Sequence, residues 1–187
     1  MKSLQQGLKT LDAILADRDA PLVRHFLPGL PKEAVISFLG SQGIAPLPSL
    51  VALYEWHNGV KTVYGYHDSE LELLPFGKLF NVDEMLKMRA IFTEWAEDDF
   101  DNTDDYLPFM GSGESDMFIL HMSTGEVLAY QPMIQIAGDL AFNSIESMIT
   151  CILECFESKA YQIDPKEGLI IDFDKYEEIR KRNLQCP

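Results

Sequence analysis

The most distinctive chemistry in this sequence is a concentration of carboxylates, which we call the acidic segment (residues 94–105). Seven of its twelve residues are acidic and none is basic: Glu94, Glu97, Asp98, Asp99, Asp101, Asp104 and Asp105. Like charges at this density repel one another and oppose a compact fold unless an opposite charge offsets them. Three interpretations are open: a solvated helix end with its loop, a surface for a basic partner, or a calcium site.

The calcium interpretation fails on spacing. Asp99, Asp101 and Thr103 begin like an EF-hand loop, whose first, third and fifth residues are ligands. Asp104 then stands where that loop requires glycine, and Met110 stands where it requires glutamate. We therefore expect no bound metal, and no other motif indicates a cofactor.

The partner interpretation gains support from two aromatic residues. Phe100 interrupts the acidic segment and Tyr106 follows it, where the sequence shows no obvious core face, and aromatic side chains often anchor interfaces. The glycine loop over 111–116 lacks the Gly-Lys-Ser/Thr of a phosphate loop, so we interpret it as a turn whose acidic residues extend the surface. The candidate partner-binding residues are Glu94, Glu97, Asp98, Asp99, Phe100, Asp101, Asp104, Asp105, Tyr106, Glu114 and Asp116.

Other residue types give no catalytic pattern. The four histidines fall in four separate predicted elements, without metal-ligand spacing: His25, His57, His67 and His121. Cys151 and Cys155 lie one helical turn apart on an apolar face, which indicates buried thiols rather than a nucleophile. We expect a non-enzymatic protein; an enzyme would need a pocket with, for example, His121 beside a carboxylate.

Composition limits the class of partner. The 187 residues suit a single domain, 47% of them are hydrophobic, and 30 acidic against 15 basic residues give a formal net charge of −15. Such a charge repels nucleic acid and anionic lipid, so we expect a protein partner and contact with neither nucleic acid nor membrane. The sequence has no signal-peptide or transmembrane pattern, which predicts a cytoplasmic protein. Its oligomeric state stays open.

Hydrophobic periodicity places these residues on an α+β fold. Leucines at 4, 8, 11 and 15 predict an N-terminal helix, a second short helix is expected over 22–27, and Asn58-Gly59 is expected to end a helix that starts near Ser49. Residues 71–74 suggest a strand, and 83–97 a helix with Trp95 on its core stripe.

The pattern in the second half of the chain predicts strands followed by helices. Strands are predicted over 106–109, 117–122 and 126–130, with a hairpin at Ser123-Thr124-Gly125. Asn143 or Ser144 then caps a long apolar-faced helix, and a charged helix covers about 174–183. This order favours a mostly antiparallel sheet packed by helices.

The ordered motifs resemble the SUKH superfamily, in its branch named after the yeast cell-wall assembly regulator. The resemblance covers roughly positions 30–157, and residues 1–29 form an added N-terminal helical region while 164–187 form a C-terminal extension. The matching motifs are Leu47-Pro48-Ser49-Leu50, Tyr54, Trp56-His57-Asn58-Gly59, the strand-to-helix unit around Leu79 to Met85, Tyr106 to Gly113 with Asp116, Gly125-Glu126-Val127 and Ala141 to Ile149.

This resemblance implies an α+β fold with a binding role. Bacterial members look like immunity proteins that neutralise toxin domains, often nucleases or deaminases, and eukaryotic members resemble signalling scaffolds. The family has no catalytic residues to carry over, so its motif residues are interpreted as structural. We expect an immunity-type protein that covers a basic toxin domain with its acidic surface; the alternative is a regulatory scaffold that uses the N-terminal helix and the C-terminal extension.

Overall fold

The chain folds into helices packed around an antiparallel sheet, as shown by a computed structural model that describes residues 3–61, 70–75, 77–112, 116–131, 133 and 136–185. The α-helices are α1 (Leu4–Asp17), α2 (Lys32–Ser41), α3 (Pro48–Trp56), α4 (Val82–Trp95), α5 (Ile145–Glu157) and α6 (Phe173–Leu184). Short 3₁₀ turns cover Pro21–Arg24 and Thr103–Asp105. The α+β class expected from the sequence is confirmed.

The strands form a five-stranded sheet and two small ribbons. They are β1 (Phe26–Pro28), β2 (His57–Val60), β3 (Lys78–Leu79), β4 (Tyr106–Ser112), β5 (Asp116–His121), β6 (Val127–Gln131), β7 (Ile136–Phe142), β8 (Tyr161–Asp164) and β9 (Gly168–Ile171). The main sheet has the order β3-β4-β5-β6-β7 and is antiparallel throughout. The β1-β2 and β8-β9 pairs are also antiparallel.

The register gives the sheet two distinct faces. Met117 pairs with Tyr130, whose ring centroid lies 5.1 Å from that of Phe92 on α4, so these residues point to the α4 face. Their neighbours alternate to the opposite face. There, Phe118 pairs with Ala129, and the Phe118 ring lies 6.3 Å from Phe142 near α5 and α6.

The outer strand β7 is an irregular edge. Its pairing with β6 shifts register at two places, and Gly138 has a φ of +87°, in the left-handed region that favours glycine. Arg180 of α6 also donates to the carbonyl oxygen of Leu140, at 3.4 Å. Bulges and a covering side chain both oppose the addition of a further strand to this edge.

Strong local patterns were predicted correctly. The leucine stripe of α1 is buried, and Ser3 caps its first turn. Ser144 and Ser147 form a reciprocal capping box at the start of α5. The predicted hairpin joins β5 to β6, with Leu120 opposite Val127 and Gly125 at a φ of +79°.

Several element predictions were wrong where tertiary contacts decide the backbone. The short helix expected over 22–27 is a 3₁₀ turn followed by β1, because Phe26 pairs with Val60 of β2. The Asn58-Gly59 pair lies in β2 and does not cap α3. The strand expected over 71–74 is limited to one bridge, between Leu74 and Gly77, and β7 and β8 were missed.

Candidate functional site

The acidic segment follows α4, so the start of α4 determines where it points. The Tyr54 hydroxyl donates to the carbonyl oxygen of Phe80 at 3.1 Å, next to the first turn of α4. Asn58 accepts a hydrogen bond from the amide of Val82 at 3.2 Å, which satisfies one of the free amides at the helix start. These contacts tie α4 to α3 and β2.

Gly59 allows this junction to close. Its φ is +77°, and a Cβ there would lie 2.3 Å from the backbone nitrogen of Asn81, the residue that caps α4. Only glycine permits both the left-handed backbone and this close approach. Asn58 and Gly59 therefore have a structural role at this junction, different from the helix cap expected from the sequence.

An aromatic cluster supports the acidic segment from beneath. Phe100 lies 5.4 Å from Phe92, 4.6 Å from Tyr106 and 6.0 Å from Tyr130, measured between ring centroids. A Cβ at Gly138 of β7 would lie 2.9 Å from the Phe100 ring, so Phe100 also covers the edge strand. Phe100 and Tyr106, expected as exposed anchors, are half-buried and packed against the core.

A tyrosine in this cluster connects the core to the carboxylates. The Tyr130 hydroxyl lies within hydrogen-bond distance of the Trp95 carbonyl oxygen, at 3.2 Å, and of Asp99 Oδ2, at 3.3 Å. Burial, and after it the negative charge and hydrogen bond of Asp99, raise the pKa of Tyr130 to about 12. One carboxylate oxygen of Asp99 therefore has a hydrogen-bond partner within the protein.

Most of the other predicted carboxylates face solvent. Asp104 forms an ion pair with Arg89 at 3.3 Å, a cation that the sequence interpretation did not connect to this segment. The remaining five are exposed and form no ion pair within the part of the chain that the structure describes: Glu94, Glu97, Asp98, Asp101 and Asp105.

Trp95 is the exposed aromatic side chain at this surface. It is 45% exposed at the end of α4, although its helical spacing predicted a core position. Phe92, one turn earlier, takes the buried position instead. The structure thus exchanges the roles expected from sequence: Trp95 faces solvent beside the carboxylates, and Phe100 packs inward.

The acidic surface has different limits from those expected. Asp116 pairs with Ser112, the last residue of β4, whereas the acidic segment ends just before Tyr106, the first residue of β4. At 3.3 Å per residue, these two ends of β4 are about 20 Å apart. Glu114 lies outside the described residues. Glu126 lies near Tyr106 instead. Burial first, and then the negative charges of Asp105, Asp101 and Glu126, raise the pKa of Tyr106.

The hairpin explains why Glu126 belongs here. Strand pairing sets His121 opposite Tyr106, and the amide of Met122 donates to the carbonyl oxygen of Asp105 at 2.8 Å. The β5-β6 loop therefore lies against the acidic segment. Strand pairing between predicted β4 and β5 is the sequence signal that would have found Glu126.

Two histidines and two cysteines considered in the sequence analysis have structural partners. His121 Nδ1 lies 2.7 Å from Thr124 Oγ1 within its own hairpin loop. His57 stacks on Phe26 with 4.0 Å between ring centroids, and its Nε2 lies 3.1 Å from Asp12. Cys151 and Cys155 are buried free thiols, and contact with Cys155 together with burial raises the pKa of Cys151; Cys186 and His67 lie outside the described residues.

Two further observations concern the whole described chain. Within the described ranges, no three His, Cys, Asp or Glu side chains come together as a metal-binding group. No helix in those ranges combines the length and apolar character required to cross a bilayer.

A scan against protein-family models gave no match, and a search of curated proteins found no significant similarity.

Proposed function

We propose that this chain is a non-enzymatic binding protein of the immunity type, which neutralises a basic toxin domain of the nuclease or deaminase class by covering it. One observation carries the proposal: the segment that presents the exposed ring of Trp95 also presents five exposed carboxylates without ion pairs among the described residues. The proposal also draws on the resemblance to the SUKH superfamily.

The surface is suited to rapid and lasting association. Unpaired carboxylates attract a basic partner from a distance and speed the encounter. A large aromatic side chain at the contact slows release, since aromatic anchors contribute much of the binding energy of protein interfaces. The aromatic cluster beneath holds the segment in place, which reduces the entropy lost on binding.

The first prediction concerns association. The test variant reverses four exposed carboxylates that have no ion pair among the described residues: Glu97→Lys, Asp98→Lys, Asp101→Lys and Asp105→Lys. We expect the association rate with a partner captured from cell extract to fall roughly 10- to 100-fold at low salt, because steering is lost. Surface-based kinetics at low and at ~0.5 M salt measure this, and screening should remove the difference.

A control variant separates local from overall charge. It reverses four exposed carboxylates on other helices: Asp17→Lys, Glu55→Lys, Glu157→Lys and Glu178→Lys. Both variants change the net charge equally, so a fall in rate confined to the test variant supports the acidic segment. Equal rates for wild type and test variant would contradict the proposal.

The regulatory scaffold is the second candidate, and exposed apolar side chains in the C-terminal extension favour it. Ile170 is 49% exposed and Phe173 is 53% exposed. A toxin antagonist abolishes the catalytic activity of its captured partner at equimolar concentration. A scaffold leaves that activity intact and binds several partners, so an inhibition assay separates the two.

A further inference from the structure

An apolar groove lies on the sheet face opposite α4, between strand β7 and helix α6. Its volume is about 250 Å³. Phe118 and Ala129 form its floor, and Ile136, which pairs with Gln131 on the same face as Ala129, lines one side while Phe173 lines the other. Phe173 is 53% exposed and Ile136 is half-buried, so the groove presents apolar side chains to solvent. Exposed apolar patches of this kind mark binding surfaces in soluble proteins.

The groove and the acidic segment are separated by a single strand. Phe100 of the acidic segment packs against Gly138 on the α4 face of β7. The next residue, Asp139, pairs with Ala129 and lines the groove on the other face. A partner that contacts the acidic segment therefore needs only to pass around the β7 edge to reach the groove.

The charge at the groove continues that of the acidic segment. Asp139 is exposed and forms no ion pair among the described residues. The other two charged groups at the groove neutralise each other, because Arg180 binds Glu177 through two hydrogen bonds of 3.1 and 2.9 Å. The unbalanced charge is negative, which favours a ligand that carries basic groups beside its apolar part.

The form of the edge strand indicates how a ligand would bind. Two register shifts and the Arg180 contact oppose addition of a strand to β7. Recognition at the groove must then come from side chains. An apolar side chain that projects into the groove satisfies this condition.

We propose that this groove receives one large apolar side chain, aromatic or aliphatic, from the same basic partner that contacts the acidic segment. The inference rests on the proposed function and adds the second half of its binding surface. Carboxylates alone give fast encounter, whereas a buried apolar contact supplies most of the lifetime of a complex. The two parts correspond to the polar rim and apolar core of ordinary protein interfaces.

Two synthetic peptides test this with the full-length protein. One is an oligolysine that ends in tryptophan, and the other is the same oligolysine ending in serine. Titration followed by amide NMR shifts reports both the affinity and the residues affected. We expect both peptides to shift amides of residues 97–105, and only the tryptophan peptide to shift 139–141 and 173–180, with about tenfold tighter binding.

Matched variants locate the effect of the tryptophan. Phe173→Ser and Ile136→Ser, on the two sides of the groove, should each remove most of the tenfold difference between the peptides. Ile170→Ser changes a similarly exposed apolar residue that does not line the groove, and should preserve the difference. Well-dispersed amide spectra establish that each variant is folded.

The outcomes separate the two proposals. If neither peptide shifts residues 97–105, the proposed function is wrong. If both shift those residues but tryptophan adds no affinity, or its gain survives both groove variants, the groove inference alone is wrong.

Discussion

Trp95 and Phe100 lie five residues apart at the end of α4, and their surroundings determine opposite roles. Trp95 is 45% exposed, whereas the Phe100 ring contacts three other aromatic rings and β7. An exposed aromatic side chain is available for binding. A side chain in the aromatic cluster contributes to folding instead, because its apolar surface is already removed from water.

Alanine variants of these two residues should therefore affect different properties, binding for Trp95 and stability for Phe100. Trp95→Ala should raise the release rate of a bound partner about tenfold or more and change the free energy of unfolding by less than about 1 kcal/mol. Phe100→Ala should lower the free energy of unfolding by about 2–3 kcal/mol, because it leaves a cavity above Gly138. Denaturant unfolding and release kinetics measure both effects. Faster release in Phe100→Ala and a loss of stability in Trp95→Ala would instead make Phe100 the side chain that anchors the partner.

Tyr130 makes stability sensitive to alkaline pH. Its pKa of about 12 in the folded protein exceeds the ordinary value of 10.0, so folding favours the protonated hydroxyl. This contribution to stability is complete below pH 10 and is lost as pH rises from about 10 towards 12. Asp99→Asn should lower the pKa of Tyr130, as measured by absorbance titration against Tyr130→Phe. Asp98→Asn, the control, should leave it unchanged.

At the scale of elements, the junction between β2 and α4 fixes the direction in which the acidic segment is presented. Tyr54 and Asn58 bind the backbone at the start of α4, and Gly59 lets the two chain segments approach. Helix α4 then carries the segment as a rigid rod from its capped start at Asn81 to Trp95. Residues 54–59, which are distant from the acidic segment in sequence, therefore determine where that segment lies.

Gly59 and Gly43 form a matched pair that tests this junction. Both have left-handed backbones, with φ of +77° and +69°, but a Cβ at Gly43 meets nothing within 4 Å. Gly43→Ala should lower the free energy of unfolding by about 1 kcal/mol, the strain of a left-handed alanine. Gly59→Ala adds a backbone clash and should cost roughly 3 kcal/mol or more in denaturant unfolding. Equal costs would mean that the close approach to Asn81 is unimportant.

At the scale of the whole molecule, a net charge of −15 opposes the folded state, and the acidic segment concentrates this repulsion. Only Asp104 in the segment has a basic ion-pair partner among the described residues. A surface that binds a basic partner must keep these charges available. The unpaired charges of the segment therefore lower the stability of the free protein, and the proposed basic partner would offset them.

Charge reversal should for this reason stabilise the free protein while weakening association. We expect the test variant to raise the free energy of unfolding by about 1 kcal/mol at low salt, since like charges in close pairs cost a few tenths of a kcal/mol each. The control variant should gain less, because its four carboxylates lie on four different helices. Urea unfolding at low and at ~0.5 M salt measures both, and lower stability of the test variant would contradict the argument.

The sequence by itself determined the features that depend on local physics. The leucine spacing of α1, the serine cap of α5 and the hairpin between β5 and β6 follow from periodicity, capping and turn chemistry. Local residue preferences also placed the acidic segment at the end of a helix. These features need no knowledge of distant contacts, because neighbours along the chain produce them.

Only the tertiary structure decided which side chains of the site face solvent. Helical spacing cannot distinguish Trp95 from Phe92, since the direction of the core depends on how α4 lies on the sheet. The pairing of β4 with β5 separates Asp116 from the acidic segment and brings Glu126 beside it. The groove beside β7 likewise arises from the packing of α6 on a strand more than thirty residues earlier. Such features depend on contacts between distant parts of the chain, and local patterns carry no information about them.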